Sequence, residues 1–315
     1  KFLNKKLILE KIITELPTDK VIHFFKPIKN ISKKNHRFIK LISATPLLDP
    51  DQTDGGFWKK HCGLSKRAVQ YEAFPLRPEF TKYKNQKVKK NQRIKIKIEL
   101  SSSEEKYLIT NTIKKGNLKY TSGYNNILFY IEPTDRVATI LLGSQPTEEA
   151  TINYVKHYII MTRNAQANQR HLLFVFCNHH IKNKNTLLKK IHDLIQNTNH
   201  YPIGLNIIPM CFQNDQVIAP LYFRSDATFT RSGGLTSMEL MTIAQGQIWI
   251  HSQIKYNTQN EKKLCKGMPI WERGNARYLQ EKKGARFITP ESFNYVLSDF
   301  FLSNQKETED AFLSV

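Results

Sequence analysis

Phe229-Thr-Arg-Ser-Gly-Gly-Leu-Thr-Ser-Met-Glu-Leu240 carries the pattern that decides the fold. Ala227–Thr230 is an apolar run that reads as a buried strand, Arg231-Ser-Gly-Gly234 as a tight loop, and Leu235–Ala244 as a helix with Glu239 in its first turns. A strand feeding a glycine loop and a helix N-terminus is an anion site, because unbonded N–H groups and the helix dipole face the ligand. Gly233 and Gly234 let the backbone approach a phosphate closely. Many α/β proteins carry such a turn with no ligand, so the flanking sequence has to decide.

The same grammar recurs from residue 131 onward. Val137–Leu142 is an apolar strand, Gly143-Ser-Gln-Pro146 a turn, and Thr147-Glu-Glu149 an N-cap with acids in the first turn of a helix running to about Met161. His171–Cys177 is a second strand, and Asn185–Gln196 a helix with Leu187, Leu188, Ile191 and Ile195 at helical spacing. Leu205–Met210 and Gln247–His251 are further strands, Val217–Tyr222 a short helix, and Gly274–Lys283 a longer one. Strands alternating with helices predict a parallel, doubly wound sheet, in which ligands bind beyond the carboxyl ends of the strands. Gly143-Ser144-Gln145 and Ser232-Gly-Gly234 both fall at such ends and can line one crevice.

Residues 1–130 are less regular. Val21–Phe25 and Phe38–Ser43 read as short strands, Gly55–Tyr71 includes a helix, and Phe74-Pro-Leu-Arg-Pro78 is a rigid turn. Residues 92–131 carry the alternation Arg93-Ile-Lys-Ile-Lys-Ile-Glu-Leu100 and a Thr/Tyr/Ile content suited to strands. The expected organisation is a basic, partial domain over 1–130 with an insertion at about 80–130, then a ligand-binding domain over 131–315.

At 315 residues, 40% hydrophobic and 24% charged, the chain has the composition of a globular protein of two ordinary domains. No apolar run is long enough to span a membrane and no signal peptide is visible; the chain opens at Lys1 rather than Met, leaving room for an upstream segment. Cys62, Cys177, Cys211 and Cys265 are scattered, which predicts free thiols in a reducing compartment and no zinc site; His179-His180 reads as a solvated loop pair. The net charge of +21 is uneven: residues 1–130 hold 28 Lys+Arg against 11 Asp+Glu, and residues 131–315 hold 20 against 16. Between Phe80 and Ile98 stand eight basic residues and no acid. Such a face attracts anionic lipid, nucleic acid or an acidic partner, or is a solvated lysine-rich surface. Only Tyr83 interrupts the run, which disfavours a nucleic-acid platform.

The C-terminal half resembles the donor-binding domain of GT-B glycosyltransferases. It is similar to the group that contains the lipid-II N-acetylglucosaminyltransferase and the monogalactosyldiacylglycerol synthases. Four elements carry the resemblance, in order: Gly143-Ser144-Gln145; Asp226-Ala-Thr-Phe-Thr-Arg231-Ser232-Gly233; Leu235-Thr236 with Glu239; and Gly274-Asn275-Ala276 with Leu279 before Gly284-Ala285. Phe74-Pro-Leu-Arg-Pro-Glu79 is similar to the segment closing the family's acceptor domain. The resemblance implies an α/β fold of GT-B type, with a Rossmann-like parallel sheet in the C-terminal domain and a partial or divergent N-terminal α/β acceptor domain with a β-rich insertion.

It further implies a nucleotide-sugar donor, UDP-linked, as co-substrate, with no cofactor, no metal and an inverting transfer. Glu239 would accept hydrogen bonds from both ribose hydroxyls. Gly143, Ser144, Gln145, Arg231, Ser232, Gly233, Gly234, Leu235 and Thr236 would surround the diphosphate and stabilise the charge that builds there as the sugar leaves. Phe212 falls where the family wraps the base, although a core aromatic fits there too. Trp271, Glu272 and Asn275 would face the sugar, and His251, at a strand end beside the cleft, is either a phosphate or sugar contact or a histidine satisfied within the fold. Trp271-Glu272 replaces the Gln pair that reads the sugar in the lipid-II enzyme, so the donor sugar does not carry over. The family's glycine-rich N-terminal loop has no counterpart, so no catalytic base is assigned and neither His23 nor His61 is promoted to that role.

The functional expectation is a hexosyltransferase, cytoplasmic and peripheral at a membrane. Its acceptor would be an anionic or membrane-associated lipid in the first place and a protein in the second. The alternative is a GT-B-like nucleotide-binding protein without transfer activity, and behind it a nucleic-acid-binding protein. The oligomeric state stays open.

Overall fold

The computed structural model describes residues 76–88, 92–143, 147–163, 169–182, 184–254, 258, 260–298 and 300, and the backbone of three short strands at 11–13, 40–43 and 69–71. Grouped by contacts, the chain forms two compact units. One combines Lys1–Leu76, Ser232–Met238 and Met268–Lys282; the other combines Arg77–Arg231, Glu239–Gly267 and Lys283–Val315.

In the first unit β1 (Lys11–Ile13), β2 (Lys40–Ser43) and β3 (Val69–Tyr71) form a parallel sheet in chain order. The strand expected over Phe38–Ser43 is present in its second half, whereas Val21–Phe25, His23 and His61 lie outside the described residues. The segment expected to include a helix ends in β3.

The second unit holds two sheets. β4 (Ile94–Glu99), β5 (Thr121–Ser122) and β6 (Asn126–Ile131) are antiparallel in the order β4-β6-β5. Burial alternates along β4, with Ile94, Ile96 and Ile98 inside and Lys95, Lys97 and Glu99 outside, as a half-solvated strand requires. Where sequence reading expected strands throughout 92–131, Ser103–Lys115 is a helix, α2, following α1 (Pro78–Thr81). Its cause is local. The Ser102 hydroxyl accepts from the Glu105 N–H, the Glu105 carboxylate accepts from the Ser101 N–H, two lysines occupy the last turn and Gly116 ends it. The Ser102 cap, with Glu105 reaching back to the residue before it, outweighs the weak strand preference of Thr, Tyr and Ile.

The larger sheet is the doubly wound one expected. β7 (Arg136–Leu141), β8 (His171–Phe176), β9 (Leu205–Met210), β10 (Ala227–Thr230), β11 (Gln247–His251) and β12 (Arg286–Ile288) are all parallel, in the order β12-β11-β10-β7-β8-β9. β8, β9 and β10 are buried at every position, the pattern of strands covered on both faces. Between them run α3 (Glu148–Arg163), α4 (Leu187–Gln196), α5 (Asp215–Arg224) and α6 (Gly234–Ile243). After β11 come α7 (Glu261–Leu264), α8 (Ile270–Lys283) and, past β12, α9 (Phe293–Val296). Tyr154 of α3, Phe229 of β10 and Phe293 of α9 form an aromatic cluster with ring centroids 5.6–5.7 Å apart. α8 begins four residues before the expected Gly274, so Trp271 and Glu272 sit on its first turn rather than in a loop. Among the described residues no helix is long and apolar enough to cross a membrane.

Candidate functional site

Strand order reverses between β7 and β10, the two strands first made in each half of the sheet. A crevice opens outside the carboxyl ends at such a switch point. Register fixes what reaches it: Thr230 pairs with Leu141 on one side and Ile250 on the other, so Arg231 and His251 stand one residue beyond, level with Leu142. Gly143 follows with φ +79° and open space where a Cβ would project, so its glycine is required by backbone conformation rather than by crowding. Ser144 and Gln145 lie outside the described residues. Arg231 is nearly buried at the end of β10.

The loop into α6 is braced from within the first unit. The Ser232 hydroxyl donates to the Glu272 carbonyl at 2.7 Å, and the Asn275 amide donates to the Ser232 carbonyl at 2.8 Å. The Ser232 side chain is thereby committed to the loop's own shape, and Asn275, fully buried, supports the loop instead of standing in open solvent. Gly233 has no atom within 4 Å of a notional Cβ, which leaves its backbone approachable. The first helical bond is Ser237 N–H to the Gly233 carbonyl, so the N–H groups of Gly234, Leu235 and Thr236 have no intrahelical acceptor. Leu235 is exposed and Thr236 half-buried. Nothing is described of the Trp271 side chain, while the Glu272 side chain is half-buried.

Glu239 is not the solvent-facing acid its helical position suggests. Its side chain is 1% exposed, and Oε1 accepts from Arg77 Nε at 2.7 Å. Arg77 NH1 also donates to Asp215, in the first turn of α5. Burial pushes the Glu239 carboxyl up, Arg77 pulls it back down, and Asp215 pushes it up again. Arg77 and Asp215 were missed in the sequence because they lie 162 and 24 residues from Glu239; the only hint was that Arg77 stands in the turn already singled out.

His251 shows the clearest chemistry at the edge. Its Nδ1 lies 2.9 Å from the Tyr154 hydroxyl, which also lies 3.2 Å from the Ile288 carbonyl. A carbonyl only accepts, so the single phenolic proton goes to Ile288 and the ring must donate from Nδ1–H. Nε2 is then left with its lone pair. Burial, with Arg231 adding to it, lowers His251 to about 4, so at neutral pH only about one ring in a thousand carries a second proton. A neutral ring presenting a lone pair accepts a hydroxyl and repels a phosphate oxygen. It is also too weak a base to keep a proton at neutral pH.

Phe212, at the carboxyl end of β9, is not a core residue. It is 70% exposed and stacks on the exposed His179 ring at 5.6 Å and 21°. The solvated reading of His179 holds, but the pair makes a flat aromatic surface that the sequence did not reveal. His180 points the other way, its side chain buried 3.4 Å from Glu104. Cys177 and Cys211 are buried free thiols, both pushed up by burial. Among the described residues no group of His, Cys, Asp or Glu could hold a metal ion.

No protein-family model matches the chain, and no curated protein matches it. Among solved structures it is similar to MurG of Acinetobacter baumannii, with 13% identity and a TM-score of 0.37 over 93% of this chain and 74% of that one. It is similar to a variant of the wall teichoic acid polymerase TagF, with 13% identity and a TM-score of 0.38 over 98% of this chain and 60% of that one. A UDP-forming alpha,alpha-trehalose-phosphate synthase from Burkholderia xenovorans gives 10% identity and a TM-score of 0.34 over 94% and 68%. At these levels the likeness carries no argument, and the chemistry has to be argued from the chain's own side chains.

Proposed function

We propose that the chain is a glycosyltransferase of GT-B type that binds a UDP-linked sugar at the carboxyl edge of its parallel sheet. The observation that carries this reading is the switch point between β7 and β10, where both strands run into glycine turns. The diphosphate lies against the N–H groups of Gly234, Leu235 and Thr236, with Ser232 and Gly233 beside it. Preorganised N–H donors at a helix N-terminus stabilise the leaving diphosphate without a metal. Glu239 accepts the ribose hydroxyls and Phe212 stacks on the base, while Asn275 holds the loop that carries the diphosphate. His251 accepts a sugar hydroxyl through Nε2. The acceptor hydroxyl attacks the anomeric carbon from the face opposite the diphosphate, which inverts the centre. The acceptor is an anionic or membrane-associated lipid drawn to the basic residues of the N-terminal part.

Thermal-shift screening of the chain against nucleotide sugars tests the donor, and release of UDP tests transfer. Stabilisation by UDP-sugars with UDP release on adding acceptor is expected. In Glu239→Gln, which keeps the side-chain shape, UDP affinity should fall at least about tenfold. Binding of UDP with no turnover on any acceptor would move the reading to a nucleotide-binding protein without transfer activity. No stabilisation by any nucleotide sugar would end it.

A further inference from the structure

Arg77 belongs to no glycine loop and to no strand end, yet its guanidinium is placed with unusual care. The Arg77 fork serves two carboxylates from two helices, Glu239 of α6 through Nε and Asp215 of α5 through NH1. Its flat face lies 4.7 Å from the Phe80 ring centroid, which limits its rotation. Phe80 in turn packs on Tyr222 with ring centroids 6.1 Å apart, and Tyr222 is the remaining ionisable group near Arg77. One cation between two acids leaves the trio one negative charge in excess. Of the Glu239 oxygens, Oε1 takes the Arg77 proton. A carboxylate fixed by one oxygen presents the other, and the second lone pair of the first, in a set direction.

We propose that Arg77 is a positioning residue for nucleotide binding, holding the Glu239 carboxylate charged and aimed as the acceptor for a ribose diol. The inference rests on the reading of Glu239 given above. Burial alone drives Glu239 toward its protonated form, and Asp215 adds to that push; Arg77 opposes both. A protonated Glu239 would offer a donor where two hydroxyl donors arrive. Lysine cannot substitute fully, because a point charge does not span two carboxylates as a planar fork does.

The test compares UDP with 2′,3′-dideoxy-UDP by calorimetry on the full chain, between about pH 6 and pH 8. The wild-type protein should prefer UDP by about tenfold or more throughout that range. In Arg77→Met the preference should vanish at the acid end and return as pH rises, with dideoxy-UDP affinity unchanged; Arg77→Lys should fall between. An undiminished, pH-independent preference in Arg77→Met overturns the proposal. Equal weakening of both ligands also overturns it, because Arg77 would then be a general brace. Should Arg77→Met fail to fold by circular dichroism, Arg77→Lys carries the test: a preference equal to wild type at every pH overturns it. A wild-type protein that binds both ligands equally would instead sink the ribose reading of Glu239, and the role of Arg77 with it.

Discussion

The two sheets of the second unit obey different rules. In the six-stranded parallel sheet β8, β9 and β10 are buried at every position, which leaves the strand ends as the place for a ligand. In the small antiparallel sheet one face is solvated, and that face carries Lys95 and Lys97 of the basic run. Phe129 of β6 stacks on Phe174 of β8 at 5.9 Å, so the small sheet adds its apolar face to the core of the large one. One sheet is therefore a buried scaffold whose rim carries the candidate site, and the other a shield with a charged exterior. Part of the charge on that exterior is already answered: Arg93 pairs with Glu132, and Lys97 with Glu99.

The contrast breaks first at the shared core. Phe174→Ala removes a fully buried ring and should cost about 3–5 kcal/mol by denaturant melting; a loss below about 1 kcal/mol would mean the sheets are not packed as one body. The rim gives the next effect, through pH. His251 and His171 both titrate at about 4 when folded against an ordinary 6.5, each lowered first by burial. A group lowered in the folded state binds its proton first in the unfolded chain. Stability is therefore complete above about pH 6.5 and drains away as pH falls toward 4, by about 1 kcal/mol per histidine at pH 5.5. His251→Gln should remove about half of that slope in a series of melting temperatures, and an unchanged slope would refute a neutral, buried His251. The smallest effect belongs to the shield. Lys95→Ala should shift stability by less than about 0.5 kcal/mol, and a larger change would show that the charged face is a structural element rather than a solvated one.

Much of the scaffold was legible in the sequence. The strands from Val137, His171, Leu205, Ala227 and Gln247, and the helices between them, follow from apolar runs and glycine or N-cap punctuation. Helix α2 was equally legible: Ser102-Ser-Glu-Glu105 is an N-cap serine followed by an acid three residues on, and Lys114-Lys115-Gly116 a matching end. The first turn of α8, which takes in Trp271 and Glu272, was less so. The rim was legible only where its residues adjoin the strand ends, as Gly143, Arg231 and His251 do.

What the sequence determined by itself is the order of local pieces, since hydrophobic period and turn chemistry act between near neighbours. It could place Glu239 a turn beyond a glycine loop, but it could not say what charge environment awaited it. Tertiary structure decided that, by bringing Arg77 across 162 residues to Glu239 and across 138 to Asp215. The same holds for His251, whose tautomer depends on Tyr154, 97 residues away, and on a backbone carbonyl of the neighbouring strand. Electrostatics and hydrogen-bond bookkeeping depend on separation in space, and only the packed fold sets those separations.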